Sequence, residues 1–293
     1  MSHPLTGAVP PLTVADRPRV EWPGGKSVAV WVIPNIEQYH LDELEHPGLP
    51  DPRGYSRRDY GNRVGIWRMF DLMSRLGIRG TVALNGEVAT TYPSVLERAL
   101  ELDWELMGHG MTNSTRLTAL PRAEEQAIIA ATKSTIEGLG ARMHGWLGPG
   151  LTESWNTLDL LVEAGAEYTC DWVNDDLPYA FSNGLYSIPY SLELNDMPLF
   201  NMPSISITDF ERRIRDTFDV LREESAVLPR VMGIALHPFL IGAPHRIRYL
   251  ESALTHLADS GDAWFATGHE IVDWYRGATA SPAATAALAA GQA

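Results

Sequence analysis

Cysteine is almost missing: Cys170 is the only one in 293 residues. That rules out an intrachain disulfide and any cysteine-built metal cluster. No apolar run reaches the roughly 18 residues of a membrane span. The N-terminal stretch MSHPLTGAVPPLTVADRPRV has neither a charged-then-apolar signal pattern nor a lipidation motif. A soluble cytoplasmic protein without membrane partners is therefore expected. An excess of basic charge is lacking as well. The formal net charge is −14, whereas nucleic-acid binding needs a basic face to neutralise phosphates. Small-molecule partners fit better, and the negative surface reads chiefly as a solubility device. There is no G-x-G-x-x-G, no Walker loop and no G-x-S-x-G elbow, so nucleotide binding and serine-hydrolase chemistry lose their usual signatures.

What is present is a regular rhythm. With 45% hydrophobic residues, the chain can bury an ample core. Residues 1–27 are rich in proline and glycine and read as an arm over the body or a partner chain. SVAVWVIPN follows as a buried strand, and residues 38–64 have no clean periodicity, which marks a functional or interfacial insertion. Strands and helices then alternate. GIWRMFDLMSRLG is helical by spacing, and helices at YPSVLERALELD and TDFERRIRDTFDVLREES are assigned capping boxes at Ser94/Glu97 and Thr208/Glu211. Strands at IRGTVALNG, WELMGHG, ARMHGWLGP, AEYTCDW, VMGIALHP and AWFAT complete the pattern. Residues 28–277 read as one β/α domain, and the alanine-rich 278–293 as a disordered tail. Repeated strand–helix units predict a parallel sheet, and six or more of them predict a distorted (β/α) barrel; a doubly wound open sheet is the alternative.

In such barrels the chemistry sits at the C-terminal ends of the strands. The strand exits here deliver Asn35 and Glu37, then Asn85, then His109 and Asn113, then Trp146, then Asp171, Asp175 and Asp176, and finally His237. Glu37 follows a buried strand, and His237 follows five apolar residues and precedes Pro238, so both read as aimed into a site. His109 could instead cap backbone groups, Asn113 could be ordinary turn chemistry, and Trp146 could be pocket wall or core. His144 and His256 read as structural or surface residues.

These strand-end residues, with NIEQ, DYGNRVGIWRMFDLM, GHGMTNS, GWLGPG, NDDLPY and LHPFLIGAPHR, resemble the polysaccharide deacetylase superfamily (NodB-like, carbohydrate esterase family 4). The resemblance spans Val28 to Tyr275 and is most specific to its branch of bacterial metal-independent allantoinases and cyclic imide hydrolases. It implies the distorted barrel fold. It also places Asn35 where the deacetylases keep a catalytic base and Glu37 where they keep a metal ligand. His109 and Asn113 fall where they keep two histidines, Leu147 where they keep an arginine, and His237 where they keep the general acid. The departures thus fall on the metal-and-base machinery, while the acid is retained.

Zinc prefers three strong nitrogen, sulfur or carboxylate donors plus water, and an asparagine oxygen is a poor substitute. The preferred expectation is a cofactor-free amidohydrolase that opens a cyclic imide, with allantoin-like ureides next. Glu37, His237 and His109 would be catalytic. Asn35, Asn113, Arg63, Trp67, Asn85, Trp146 and Asp175 would bind substrate. Two alternatives remain open. One is a deacetylase or deformylase using Zn²⁺ or another divalent metal on Glu37, His109 and Asn113. The other is a catalytically silent binding protein. The insertion and the arm lead to the expectation of a homo-oligomer.

Overall fold

The computed structural model describes residues 8–42, 48–202 and 205–280. Its elements run β1 (Val28–Ile36), α1 (Pro52–Tyr60), α2 (Ile66–Arg75), β2 (Thr81–Leu84), α3 (Val88–Thr91), α4 (Pro93–Glu101), β3 (Glu105–Gly108), α5 (Arg122–Gly138), β4 (Gly145–Trp146) and α6 (Thr157–Glu163). They continue β5 (Tyr168–Thr169), β6 (Tyr179–Ala180), β7 (Tyr186–Ser187), α7 (Asp196–Phe200), α8 (Ile207–Glu224), β8 (Arg230–Leu236), α9 (Ile247–Asp259), β9 (Ala263–Phe265) and α10 (Gly268–Thr279). The sheet order is β6-β7-β5-β4-β3-β2-β1-β8, with β9 on β1. Among the described strands only the β6–β7 pair is antiparallel. The sheet curls into a half-barrel, the distorted β/α architecture that the alternation predicts. Among the described residues no helix is long and apolar enough to cross a membrane.

The period of two along the strands decides what faces where. On β1, Val28, Val30 and Val32 join the cluster packed under the helices. Ala29, Trp31 and Ile33 join a second cluster inside the curl, with Ala83, Met107, Leu147, Tyr168 and Ala235. Trp31 and Tyr168 meet edge-on there, with ring centroids 6.4 Å apart. The interior is therefore a packed core rather than a channel.

Several expectations need correction. The stretch 38–64 is not shapeless: α1 runs through a π-helical turn, Gly61–Gly65, straight into α2. A tight positive-end cap starts it, with the Asp51 carboxylate accepting from the Gly54 amide. Residues 43–47 of that stretch lie outside the described residues. The α8 capping box is Ser206/Asp209 rather than Thr208/Glu211, because the helix begins at Ile207, two residues before a Thr208 cap would start it. Helix α4 starts on Pro93 with no side-chain cap, so Ser94 and Glu97 already lie inside it. Helix α10 extends to Thr279, two residues into the expected tail, and residues 281–293 lie outside the described residues. Residues 8–27 do form an arm on the chain's own body. Arg17 donates to the carbonyls of Leu177 and Pro178, Arg19 to those of Ala226 and Val227, and the Trp22 indole to that of Arg230.

One contact sets the height of the mouth. A Cβ added at Gly65 would lie 2.0 Å from the Pro238 carbonyl oxygen, and one at Gly242 would lie 2.6 Å from the Cα of Gly65. The π turn therefore rests backbone-to-backbone on the loop that follows β8. A side chain cannot be absorbed by rotamer change where the obstacle is backbone. Gly65→Ala is expected to destabilise the fold by about 3 kcal/mol. Val64→Ala, on the exposed side of the same turn, is expected to stay within about 0.5 kcal/mol. Urea unfolding midpoints of the two variants check this.

Candidate active site

Glu37, Asn85, His109 and His237 each continue the inward parity of their strand one or two residues past its end. All four are buried. Glu37 is the hub. Its Oε1 accepts from Asn113 Nδ2 at 2.7 Å, and its Oε2 accepts from the Tyr39 hydroxyl at 2.7 Å. The Nε2 atoms of His109 and His237 stand 3.5 and 3.6 Å from Oε1. At those separations neither nitrogen makes a strong bond to the carboxylate, and both remain available to a water or a substrate.

The two histidines are held differently. His109 Nδ1 donates to the Leu147 carbonyl at 2.7 Å. A carbonyl can only accept, so Nδ1 carries a proton and Nε2 faces the site. His237 Nδ1 meets Asp196 Oδ1 at 2.7 Å, and both Asp196 oxygens accept the His237 backbone amide, at 2.9 and 3.0 Å. Asp196 is fully buried at the start of α7.

Charge follows from this packing. Burial opposes ionisation of Glu37, but His237 and then His109 overcome it and hold the carboxyl well below the usual range. Burial likewise opposes a charge on His237, yet Glu37 and Asp196 raise its pKa to about 10. An imidazolium between two carboxylates is thus the neutral-pH state. Burial, and then the Glu37 charge, push the Tyr39 phenol up, so it stays a donor.

The other expected site residues separate into two groups. Asn113 belongs to the hub. Asn35 lies just below it, its amide donating to the Ile33 and Leu236 carbonyls at 3.2 and 3.4 Å. Asn85 is a strut: it accepts from the Gln38 amide at 2.9 Å and donates to the His109 carbonyl, so neither function is free for substrate. Trp146 is core rather than pocket wall, because it sits one residue out of inward parity, and Leu147 takes the inward place. Arg63 is not in the site. Its side chain is 64% exposed and paired with Asp59, one helical turn back. Trp67 is 37% exposed and packs edge-on against Phe70 on the helix layer. Asp175 binds Arg17 of the arm at 3.3 Å and lines a separate cavity of about 830 Å³ beside β8.

Sequence reasoning missed Tyr39, Asp196, Asn62 and Arg58. Asn62 donates to the Glu37 carbonyl at 2.9 Å. The Arg58 guanidinium lies 4.6 Å from the centroid of the Tyr39 ring, with its Nε buried and unpartnered. Arg57 also lies over the Phe239 ring, at 5.8 Å. The mouth is thus cationic on a strongly acidic protein. Tyr39 was legible in principle, since it shares the parity of Asn35 and Glu37.

A divalent ion at the hub would have to use Glu37, His109 and Asn113. An ionised carboxylate only accepts, so the asparagine must turn its NH₂ rather than its oxygen to Glu37. Among the described residues, the one trio of histidine, cysteine or acidic side chains with donor atoms within 4.8 Å of one another lies elsewhere, at His144, Glu167 and His269. The hub donors therefore fit a divalent ion poorly.

Behind Gly148 lies a second buried acidic pair. Asp171 accepts the Gly148 amide at 2.8 Å, and Trp172 donates to Glu153 at 3.1 Å. Burial, reinforced by the Asp171 charge, pushes Glu153 up to about 9. Glu153 therefore holds its proton well above the usual carboxyl range. A carboxyl raised from 4.5 to about 9 leaves the native state holding the extra proton between those values. Stability should therefore fall as pH rises through that window. Glu153→Gln keeps the acceptor for Trp172 and should flatten the loss, by on the order of 2 kcal/mol at pH 8; denaturant unfolding at pH 5 and pH 8 measures it. Asp196→Asn should lower the His237 pKa by roughly one unit or more, read by imidazole NMR titration.

The comparisons with known proteins agree with this fold. The polysaccharide deacetylase family pattern matches residues 55–169. A Schizosaccharomyces pombe protein named "Putative polysaccharide deacetylase" is 27% identical, with 85% of this chain and 90% of that protein covered. The crystal structure of PuuE allantoinase superposes with a TM-score of 0.82 at 26% identity, covering 92% of this chain and 98% of that one. A "probable Polysaccharide deacetylase" from Pseudomonas aeruginosa PAO1 superposes with a TM-score of 0.80 at 28% identity, over 89% of this chain and 94% of that one. Residues 55–169 thus match the polysaccharide deacetylase family, and the fold of the chain is the NodB-like deacetylase fold.

Proposed function

We propose that this deacetylase-superfamily hydrolase opens a small cyclic amide, a cyclic imide first and an allantoin-like ureide next, without a catalytic metal. The observation that carries the reading is the Asn113 amide hydrogen-bonded to an ionised Glu37, beside an imidazolium at His237. The similarity to PuuE allantoinase supports it, since that protein's name states a cyclic ureide chemistry. The poor donor set for a divalent ion supports it too.

The roles follow from protonation. A carboxylate held well below its usual range is a poor proton acceptor at neutral pH, so Glu37 orients water rather than deprotonating it. His109, its Nδ1 tied to the Leu147 carbonyl, turns Nε2 to the same space and in its neutral form accepts the water proton. Water oxygen bonds to the ring carbonyl carbon, and Asn113 and Tyr39 keep the Glu37 charge fixed meanwhile. His237 supplies a proton to the departing ring nitrogen as the C–N bond breaks. The product is an open amide bearing a new carboxylate, and Arg58 is the cation at hand to receive it. An imide suits a site without a Lewis acid, because the second carbonyl delocalises charge on the leaving nitrogen. Oriented donors and charges then supply the remaining stabilisation, roughly 3–4 kcal/mol for each well-placed donor.

Glu37→Gln and His237→Ala should each lower kcat/KM by about 10²-fold or more on whichever of succinimide, dihydrouracil, hydantoin and allantoin is turned over. Chelator treatment should leave the rate unchanged. Near-normal turnover in both variants would sink the assignment. Loss with chelator and recovery with Zn²⁺ or Co²⁺ would favour a metal-dependent deacetylase, and binding without product would favour a silent binding protein.

A further inference from the structure

At the opposite end of the sheet from the mouth, three side chains converge that the hydrolytic reaction does not use. His144 immediately precedes β4, Glu167 immediately precedes β5, and His269 is the second residue of α10. His144 Nδ1 lies 3.2 Å from Glu167 Oε1, and His269 Nδ1 lies 3.1 Å from Glu167 Oε2. The two imidazole rings stack 3.6 Å apart, inclined by 22°. One donor atom from each of the three residues falls within 4.8 Å of the other two.

We propose that His144, Glu167 and His269 form a binding site for a single borderline transition-metal ion, with Zn²⁺ as the reference ligand. Two donors each about 2.05 Å from a tetrahedral ion stand about 3.3 Å apart, close to the two nitrogen–oxygen separations seen here. An ion entering beside the carboxylate would replace two Nδ1–H bonds with two Nδ1–metal bonds, and the two rings would turn out of their 3.6 Å stack so that each in-plane lone pair meets the ion. Two imidazoles and one carboxylate select Zn²⁺, Co²⁺ or Ni²⁺ over Mg²⁺ and Ca²⁺, which require oxygen ligands. Partial exposure leaves room for a water as the fourth ligand, with side-chain exposures of 18% for His144, 14% for Glu167 and 32% for His269.

The backbone beneath the donors is already fixed, as a metal site requires. Strand pairing sets Gly145 opposite Tyr168, and the Glu167 amide donates to the His144 carbonyl at 2.7 Å, so these two residues are lateral neighbours. The first turn of α10 is anchored by Gly268 N on Thr81 Oγ1 at 2.9 Å and by His269 N on Glu105 Oε2 at 3.1 Å. Glu105 also accepts from Tyr168 and Thr81, so its oxygens are engaged and it does not join the set. Arg142 touches Glu167 Oε1 at 3.0 Å, but its side chain is 63% exposed and can swing into solvent. An ion bound here would tie α10 to the floor of the half-barrel, far from the hub, and would stabilise the fold without entering the reaction.

Calorimetric Zn²⁺ titration of chelator-stripped full-length protein tests the proposal, with thermal unfolding as a second readout. One equivalent should bind, with affinity at least about 100-fold weaker in His144→Ala and in His269→Ala and unchanged in Glu37→Gln. Zn²⁺ should raise the Tm of the native protein but not of His269→Ala, whose circular dichroism shows whether it has folded. The hydrolytic rate of His144→Ala should match that of the native protein. Absence of binding would overturn the proposal and leave the trio as a hydrogen-bonded clasp. So would a bound equivalent that disappears in Glu37→Gln and persists in His144→Ala.

Discussion

A carboxylate taken out of water must be met by charge and by donors, or it takes up a proton. Glu37 is met by an imidazolium from the loop after β8, an imidazole and an amide from the loop after β3, and the phenol of Tyr39 two residues on. Much of the upper half of the molecule exists to hold those four in place. Asp196 on α7 holds His237, the carbonyl after β4 holds His109, and Asn85 ties the loops after β1 and β3 together. An unpaired buried charge typically costs several kcal/mol. The loops at the mouth are therefore ordered by the same interactions that set the protonation states for chemistry. Stability and reactivity cannot be varied independently at these positions.

The inner half of this arrangement was legible in the sequence and the outer half was not. Period-two alternation with a strand exit finds Glu37, His109 and His237, because their geometry is inherited from straight backbone. It fails at Trp146 because β4 is only two residues long, too short for its phase to be read, and the inward residue is Leu147. It fails at Arg63 for another reason. The motif containing it is a helix with a π turn, in which the extra residue per turn rotates the following side chains, and Arg58 is the arginine that reaches Tyr39. Asp196 was hidden in a region without periodicity, and no local pattern marks a carboxylate whose partner lies 41 residues away. Asp175 looked like a site residue because it follows a strand, but the arm claims it.

Net charge was similarly misleading about the mouth. The chain is acidic overall, yet Arg57 and Arg58 gather around Phe239 and Tyr39. With a Debye length of about 8 Å at physiological salt, a substrate in the mouth responds to those arginines rather than to the distant acidic surface. A global sum over the sequence has no access to that locality.

The segments GNRVG and HPFLIG press together without side chains between them, at Gly65, Pro238 and Gly242. Contact between bare backbones has almost no give. The helix that positions Arg58 and the loop that follows His237 therefore behave mechanically as one solid piece, whatever their separation in sequence. A displacement of Arg58 at the rim is thus carried straight into the backbone behind His237, so the two residues share a single mechanical degree of freedom.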